Sequence, residues 1–315
     1  MPDGSSWPRI SVVTPSYNQG AFIEETIRSV LLQGYPNLEY IVVDGGSTDE
    51  TLDILEKYDP WIDHWVSEPD NGQSQAINKG LVHCTGTIFN WLNSDDLLEP
   101  GALGAIAHSF GAHDVLAGRA RHFAEEDSWI KKTDIDQFAP EPLLRADCQF
   151  SQESVWLKTK QVKALGGVDE SFHYSMDREL YVRYTYHYPD VKGIPDILGR
   201  FRVHDESKSI QSGFDDLDNP FRRDYLRMAK KLQEEEAYDS LHPLCKQREE
   251  WLEWLLYIGR LQDQENRSVI SRLVELFGRA LQQPRDRLSR FTLGAARDLW
   301  QESRSSFSCG KGTSV

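Results

Sequence analysis

Two adjacent carboxylates, Asp95 and Asp96, stand where the apolar run of residues 87–92 (TIFNWL) ends. Neighbouring carboxylates repel each other unless a cation or a proton compensates. A divalent ion such as Mg²⁺ or Mn²⁺ would compensate, since it binds one or two carboxylates together with phosphate oxygens and water. The pair therefore predicts a site for a phosphorylated ligand. The alternative is that these aspartates turn the chain and cap a helix beginning near Gly101.

A third aspartate, Asp44, ends the apolar run of residues 38–43 and is followed by two glycines. Because glycine lets a ligand approach the backbone closely, this carboxylate could accept hydrogen bonds from a base or a ribose. The alternative is an Asx-type turn that joins a strand to the next helix. Both interpretations place Asp44 at the end of a strand.

The spacing of apolar residues predicts alternating strands and helices over the first third of the chain. Strands are expected at residues 10–13, 38–43, 64–67 and 87–92, and helices from residue 21, from a capping box at Ser47 and Glu50 through Tyr58, and at residues 74–81. This rhythm is typical of a parallel sheet with crossover helices. Ligands bind such sheets outside the carboxyl ends of the strands, where Asp44, Asp95 and Asp96 would meet.

The pattern changes twice along the rest of the chain. Weaker strand signals at residues 114–116, 154–157 and 197–203, with a helix at 177–184, predict the second half of the same domain. From about residue 215 the sequence favours long charged helices. The predicted divisions are a flexible N-terminus (1–8), an α/β domain (9–212), a helical C-terminal region (213–303) and a disordered tail (304–315).

Composition excludes several classes of protein. The chain has 315 residues, 39% apolar, and a net charge of -15, which is typical of a soluble globular protein and argues against a nucleic-acid binder. Its four cysteines are widely spaced without C-x-x-C, so neither a zinc site nor a disulfide framework is expected. Free cysteines of this kind predict a protein of the reducing cytoplasm. We see no signal peptide and no apolar run long enough to span a membrane.

Five short motifs resemble, in order, those of the family 2 glycosyltransferases. They are residues 14–18 (TPSYN), 44–49 (DGGSTD), 68–72 (EPDNG), 93–96 (NSDD) and 166–170 (GGVDE). Each motif alone is weak, but the ordered set is specific, and the resemblance covers roughly residues 9–209. It implies a GT-A type, Rossmann-like, mostly parallel sheet flanked by helices. It also implies inverting transfer of a sugar from a nucleotide-diphosphate donor, with a UDP-sugar favoured, to an acceptor hydroxyl.

The resemblance assigns residues to the donor and to a metal. The donor-binding residues it implies are Thr14, Pro15, Tyr17, Asp44, Gly72, Asn78 and Asp95. A divalent metal, Mn²⁺ or Mg²⁺, would be held by Asp95 and Asp96, with His204 as a secondary ligand.

The resemblance also implies a general base. Residues 174–180 (YSMDREL) resemble an acidic motif whose aspartate, matched here by Asp177, deprotonates the acceptor in inverting members. Glu179 is the fallback base. The alternative is that both residues form an acidic cluster at the start of a helix. Gln152 and Glu153 lie in the zone that faces the acceptor.

Two departures from the family pattern leave a second function open. Asn93 occupies the first acidic position of the metal motif, and Ile77 stands where an arginine is common. The alternative to an enzyme is therefore a catalytically silent protein of the same fold that binds a sugar nucleotide or a glycan.

The expected partners are a nucleotide-diphosphate sugar and a glycan or lipid-linked acceptor, as in surface polysaccharide or glycoconjugate synthesis. No nucleic-acid partner is expected. Arginines alternate with apolar residues after residue 279, which suggests either a peripheral contact with the inner face of a membrane or a homodimer formed by the C-terminal helices.

Overall fold

The computed structural model of the chain describes residues 1, 4, 6–124, 127–205, 207, 217–264, 266–282 and 289–309, with backbone alone after residue 301. The chain forms two compact units, Met1–Ser207 and Lys208–Val315. Each is described by itself below.

Among the described residues of the first unit, nine strands form one sheet. They are β1 (Ile10–Ser16), β2 (Leu38–Asp44), β3 (His64–Ser67), β4 (Ile88–Trp91), β5 (Leu97–Leu98), β6 (Val115–Phe123), β7 (Ser128–Lys132), β8 (Val155–Lys158) and β9 (Val191–Arg202). Their order across the sheet is β3-β2-β1-β4-β8-β6-β9-β5, and β7 pairs with β6 outside this path.

Seven α-helices connect these strands. They are α1 (Gly20–Leu31), α2 (Thr51–Tyr58), α3 (Gln73–His83), α4 (Ala102–Phe110), α5 (Pro140–Arg145), α6 (Thr159–Ala164) and α7 (Met176–His187). Short 3₁₀ helices occur at Asp59–Trp61, Ile135–Gln137 and Gln152–Ser154.

The sheet has a parallel half and a mixed half. Strands β1 to β4 run parallel, and every residue of β1 is buried. Parallel sheets are covered on both faces, which explains the continuous apolar runs seen in the sequence. In the mixed half β9 runs parallel to β6, whereas β5, β7 and β8 are antiparallel to their neighbours.

The capping box predicted for α2 is wrong. The helix begins at Thr51, and the Ser47 hydroxyl does not cap it but donates to the Asp44 carboxylate at 2.5 Å. The Asp49 carboxylate accepts the backbone N–H of Gly20 at 2.9 Å and that of Thr51 at 3.1 Å, so it serves the starts of both α1 and α2.

The predicted flexible N-terminus is anchored before residue 9. The indole of Trp7 lies edge-on to Tyr35 at 5.4 Å and to His108 at 5.2 Å. The backbone carbonyl of Trp7 accepts a hydrogen bond from the Asn37 side-chain amide at 2.9 Å. Residues 2, 3 and 5 of the predicted flexible segment lie outside the described residues.

The second unit is helical in its described part. Its helices are α8 (Pro220–Glu234), α9 (His242–Gln262), α10 (Val269–Ala280) and α11 (Arg290–Cys309), with a 3₁₀ helix at Glu236–Leu241. Trp254 and Ile258 of α9 pack with Leu276 of α10 and Ala295 of α11. Helix α11 continues into the predicted tail, whose residues 310–315 lie outside the described residues. None of the described helices is both long and apolar enough to cross a membrane.

Candidate active site

The carboxyl ends of β1, β2 and β3 lie side by side. Asp44 pairs in register with Ser16 on one side and with Ser67 on the other. Strand β4 ends beside them, since the Leu92 N–H donates to the Val13 carbonyl at 2.8 Å. The motifs that follow these four strands therefore meet at one edge of the sheet, as the sequence predicts.

Asp44 is buried and fully engaged within the protein. Its carboxylate accepts hydrogen bonds from the N–H groups of Gly46 (3.1 Å) and Ser47 (2.8 Å) and from the hydroxyls of Ser47 (2.5 Å) and Ser67 (2.6 Å). This is the Asx-type turn that we gave as the alternative. Contact of Asp44 with a base or a ribose stays a prediction, and the structure gives the residue a role in holding the loop.

The other predicted donor residues after β1 differ in exposure. Thr14 is buried, and its hydroxyl accepts a hydrogen bond from the Tyr40 hydroxyl at 3.1 Å. Pro15 is buried in the same strand. Tyr17, by contrast, is 61% exposed. Among these three, Tyr17 alone presents a side chain that a nucleoside could contact without rearrangement.

Asp70 is a site residue that our sequence reasoning did not single out. A Cβ atom added at Gly45 would lie 3.0 Å from the Asp70 carboxylate, tighter than an ordinary contact, so glycine gives this acid room at the end of β2. The same carboxylate accepts the N–H of Gly72 at 2.8 Å. Gly72 has φ +117°, a conformation that side chains other than hydrogen rarely adopt. The signal was present in the EPDNG motif but pointed only to Gly72.

The turn after β4 separates the two adjacent aspartates. The Asp96 N–H donates to the Asn93 carbonyl at 3.1 Å, and the Thr26 hydroxyl contacts the carbonyls of Ser94 and Asp96, both at 2.8 Å. Asp96 points inward and is buried, whereas the side chain of Asp95 keeps a quarter of its surface exposed. The two carboxylates thus have different environments.

Asp96 is engaged within the protein, and its predicted role as a metal ligand stays a prediction. One carboxylate oxygen accepts the backbone N–H of Arg202 at 2.9 Å, and the other accepts the Asn93 amide at 3.1 Å. Burial, reinforced by the charge of Asp95, raises the pKa of Asp96 well above its ordinary value. The residue ties β9 to the turn after β4 and so positions Asp95.

Asp95 and His204 form the pair that fits a divalent ion. The His204 Nε2 atom lies 3.0 Å from Asp95 Oδ2, and Arg202 fixes the turn by donating to the Asp95 carbonyl at 2.9 Å. Imidazole nitrogen and carboxylate oxygen are both donors that Mn²⁺ accepts. The described residues contain no cluster of three or more His, Cys, Asp or Glu side chains able to hold a metal. Further ligands would therefore come from phosphate and water.

Asn93, the departure in the acidic motif, is built into the site. Its side-chain oxygen accepts a hydrogen bond from the Gln73 amide at 2.6 Å, while its own amide donates to Asp96. A carboxylate at position 93 would instead face the Asp96 carboxylate and repel it. The asparagine thus links α3 to the turn after β4.

Asn78 connects α3 to the GGVDE motif. Its side chain donates to the Val168 carbonyl at 2.7 Å and to Glu170 at 3.0 Å, and accepts the Val168 N–H at 2.9 Å. A Cβ atom at Gly167 would collide with the Asn78 amide, and Gly167 has a positive φ of 79°. These contacts give Asn78 a positioning role, and its predicted donor contact stays a prediction.

Asp177 lies in the first turn of α7. Its Oδ1 atom accepts the N–H of Arg178 at 2.6 Å. Burial raises the pKa of Asp177, and the positive charge of Arg178 opposes that rise. The Arg178 guanidinium itself donates to the carbonyls of Leu143 (3.1 Å) and Cys148 (3.2 Å), which holds the loop after α5 against the start of α7.

Glu179, the predicted fallback base, is held in an ion pair, and its role as a base stays a prediction. It is buried and forms a bidentate ion pair with Arg183, at 2.6 and 2.7 Å. Arg183 also donates to the carbonyls of Leu165 and Gly167, both at 2.9 Å. A carboxylate neutralised on both oxygens and removed from solvent has a structural function.

Glu153 lies on the short 3₁₀ helix that precedes β8. Gln152, before it, is fixed by hydrogen bonds to Asn90 (2.7 Å) and to the Trp91 carbonyl (2.9 Å). Glu153 is buried, and its Oε1 atom has no hydrogen-bond partner among the described residues. Burial raises the pKa of Glu153 to about 7, and the charges of Asp177 and Asp95 add to the rise while that of Lys131 opposes it. Lys131 carried no sequence motif and was missed.

Replacing Glu153 with glutamine should change how stability depends on pH. Because the pKa of Glu153 is raised in the folded state, its carboxyl does not destabilise the folded protein below the unfolded-state pKa, near 4.5. As the pH rises from there to about 7, ionisation of the buried carboxyl lowers the free energy of unfolding of wild type. We therefore expect Glu153→Gln to gain on the order of 3 kcal/mol relative to wild type between pH 4 and pH 8. Urea unfolding measures it. The exposed Glu56→Gln should show no such pH dependence, and a flat profile for Glu153→Gln would refute the raised pKa.

A family model described as "Glycosyl transferase family 2" matches residues 11–181. The putative teichuronic acid biosynthesis glycosyltransferase TuaG of Bacillus subtilis is 43% identical over 97 residues, 29% of this chain and 38% of that protein. The chain spans less than two thirds of the length of the curated relatives that it matches: 65% of the uncharacterized glycosyltransferase RT0329 of Rickettsia typhi, at 29% identity, and 38% of TuaG.

Two solved structures share the fold over most of this chain. S. aureus TarS 1–349 in complex with UDP-GlcNAc has a TM-score of 0.62 at 17% identity, covering 95% of this chain and 92% of that one. The mannosyltransferase PcManGT from Pyrobaculum calidifontis in complex with GDP-Man and Mn²⁺ has a TM-score of 0.57 at 17% identity, covering 95% and 88%. The likeness confirms the predicted GT-A type α/β fold with its helical C-terminal region. Because the family model matches more than half of the sequence, the chain belongs to glycosyl transferase family 2.

Proposed function

We propose that the protein is an inverting glycosyltransferase that moves a sugar from a nucleotide-diphosphate donor to an acceptor hydroxyl. The observation that carries this proposal is the Asp95–His204 pair, whose Oδ2 and Nε2 atoms lie 3.0 Å apart beyond the carboxyl end of β4, in a chain that matches the family model over residues 11–181. A donor diphosphate would bind beside this pair, and the acceptor hydroxyl would approach from the side of Asp177.

The chemistry is a single displacement. The acceptor oxygen attacks the anomeric carbon of the donor sugar while the bond from that carbon to the phosphate oxygen breaks. The nucleoside diphosphate leaves with the electron pair of that bond, and Asp177 takes the proton of the hydroxyl. Arg178 and Lys131 favour the ionised form of Asp177 that this step needs, against the effect of burial.

Asp95 and His204 are the proposed metal ligands, with Asp96 and Arg202 holding them in place. When bound, Mn²⁺ or Mg²⁺ would neutralise negative charge on the diphosphate. The Mn²⁺ complex of a protein with this fold supports the choice of ion.

A UDP-sugar is the favoured donor, supported by the UDP-GlcNAc complex of TarS. The acceptor is a hydroxyl of a glycan or of a lipid-linked glycan in surface polysaccharide synthesis, which the name of TuaG supports. We place the enzyme in the cytoplasm, with contact to the inner face of the membrane or to a second copy through the C-terminal helices. The exposed residues Ile270 and Val274 on one face of α10 support such a contact.

The test is thermal unfolding of the purified chain with a panel of UDP-, GDP- and TDP-sugars, with Mn²⁺ or with chelator. A bound donor at about 100 times its Kd adds about 2.7 kcal/mol of stability. We expect one nucleotide sugar to stabilise the protein in a Mn²⁺-dependent way, and Asp95→Asn to lose that dependence. If no nucleotide sugar stabilises the chain, the proposal fails. Stabilisation without hydrolysis or transfer would favour the silent binding protein.

A further inference from the structure

Three aromatic side chains in the described part of the first unit are largely exposed: Tyr17, Trp61 and Trp129. A single exposed ring carries no functional meaning by itself. Trp61 precedes β3 and so lies at the amino end of the parallel strands, away from the candidate site. Trp129 is 48% exposed and lies in β7, which pairs with β6 as a hairpin. The direction in which this hairpin faces decides what Trp129 could contact.

The strand register places Trp129 on the same face as Lys131. In the β6–β7 pair, Trp129 is opposite His122, and Lys131 is opposite Ala120. Residues directly opposite each other share a face of the sheet, as do alternate residues along a strand. Ile130, between them, therefore belongs to the other face, and it is exposed to a similar degree, 40%.

The face that carries Trp129 is turned toward the proposed base. His122 Nε2 lies 2.9 Å from the Ser151 hydroxyl, directly before Gln152 and Glu153. Gly199 of β9 pairs with Ala120, as Lys131 does from the other side, and a Cβ atom added at Gly199 would collide with Glu153 Cγ. The face that carries Lys131 is therefore the face on which Glu153 packs, and the charge of Lys131 lowers the pKa of both Glu153 and Asp177. Trp129 is the next residue of that face, about 7 Å farther along the strand.

The indole of Trp129 is supported on one side. Its ring lies 5.6 Å from the imidazole of His122, which in turn lies 4.8 Å from the ring of Phe201. Burial lowers the pKa of His122 to about 4, with the charge of Lys131 adding to the effect, so the imidazole is neutral at pH 7. An anchored, uncharged layer thus backs the indole while half of its surface stays open.

We propose that Trp129 is the platform on which a sugar ring of the acceptor glycan stacks. The inference rests on the proposed function, because it assigns the acceptor side of the same site. The ligand is a neutral sugar ring, since the surface that it would meet is the open face of an indole that His122 and Phe201 support from behind. Stacking on a large rigid aromatic face provides binding energy and fixes the orientation of the ring.

Fluorine NMR of the full chain labelled with fluorotryptophan tests this assignment. The chain has nine tryptophans, and the signal of Trp129 is the one missing from Trp129→Phe. The probes are octyl glycosides of glucose, galactose, mannose and N-acetylglucosamine, as monosaccharides and as disaccharides, each titrated at several protein concentrations. The affinity of each glycoside for wild type and variants is measured by ligand-observed NMR.

We expect at least one glycoside to shift the Trp129 signal. Trp129→Ala should weaken that glycoside about tenfold, Trp129→Phe less, and the matched control Ile130→Ala not at all. The proposal is overturned if no glycoside moves the signal, if Trp129→Ala binds like wild type, or if the signal responds only to protein concentration, as contact with a second copy would require. Thermal stabilisation by nucleotide sugars should persist in Trp129→Ala. If nucleotide sugars do not stabilise the wild-type protein, the proposed function fails, whatever the result for Trp129.

Discussion

Asp177→Asn is expected to lower the rate constant of sugar transfer by a factor on the order of 10² to 10⁴, with donor binding retained. The amide has nearly the shape of the carboxylate and can still accept the Arg178 N–H, which lies 2.6 Å from Asp177 Oδ1. It cannot take a proton from the acceptor hydroxyl. The loss should therefore appear in kcat, while the stabilisation by donor and Mn²⁺ stays at the wild-type level.

The control for this variant is Asp190→Asn, the same substitution at an exposed residue. Asp190 stands just before β9 and contacts His113 at 2.9 Å, at the amino ends of β6 and β9 and hence opposite the site. It should transfer sugar like wild type. Near wild-type transfer by Asp177→Asn, measured as initial rates at saturating donor, would remove Asp177 from the role of base.

The pH dependence of transfer gives an independent check on the same residue. Because burial raises the pKa of Asp177, the wild-type rate should fall on the acid side at a higher pH than an ordinary aspartate would produce. Glu153 also titrates in this region, near 7. The pH–rate profile of Glu153→Gln separates the two residues. A fall in rate on the acid side that is caused by Asp177 persists in that variant, whereas one caused by Glu153 disappears.

The parallel half of the fold was predictable because burial on both faces leaves a readable pattern. Strand β3 was expected at residues 64–67 and is found there; β2 is one residue longer than expected at its carboxyl end, and β4 is one residue shorter at each end. The β6–β7 hairpin was not predicted beyond the start of β6. Its second strand, SWIKK, is mostly exposed and lacks alternation, so only pairing with β6 defines it.

The candidate site was predictable in place but less so in role. Sequence order brought Asp44, Asp95 and Asp96 to one sheet edge, but it could not separate a buried carboxylate from an open one. Asp96 has a local partner in Asn93, but its other partner is the backbone of Arg202, which is 106 residues away and cannot be inferred from the neighbouring sequence. The partner of Glu179 was readable, since Arg183 stands four residues later on the same helix face.

Glu179→Gln is expected to lower the free energy of unfolding by about 3–5 kcal/mol, because it leaves the Arg183 guanidinium buried without a counter-charge. Both side chains are almost wholly removed from solvent, at 1% and 7% exposure. Chemical denaturation at neutral pH measures the change. A catalytic role for Glu179 would instead lower the rate of transfer and leave stability near wild type.

The chain supplies a matched control in Glu141→Gln. Glu141 and Arg145 have the same spacing of four residues on a helix, but both are exposed and lie 3.5 Å apart. Exposed pairs of this kind contribute only about 0.3–0.5 kcal/mol. A loss of similar size in both variants would show that the burial of the Glu179–Arg183 pair has no energetic consequence.

Removing the charge of Glu179 should also destabilise the turn that supports α3, on the proposed donor side of the site. Arg183 holds the carbonyls of Leu165 and Gly167, and the Gly167 turn receives Asn78 from α3. Releasing Arg183 from its carboxylate therefore loosens the turn that fixes the helix behind Gly72. We expect faster amide hydrogen exchange at Gly167 and Val168 in Glu179→Gln. Exchange in β1 should change only as far as the lower free energy of global unfolding requires. Protection equal to wild type at Val168 would mean that Asn78 holds this turn without help from Arg183.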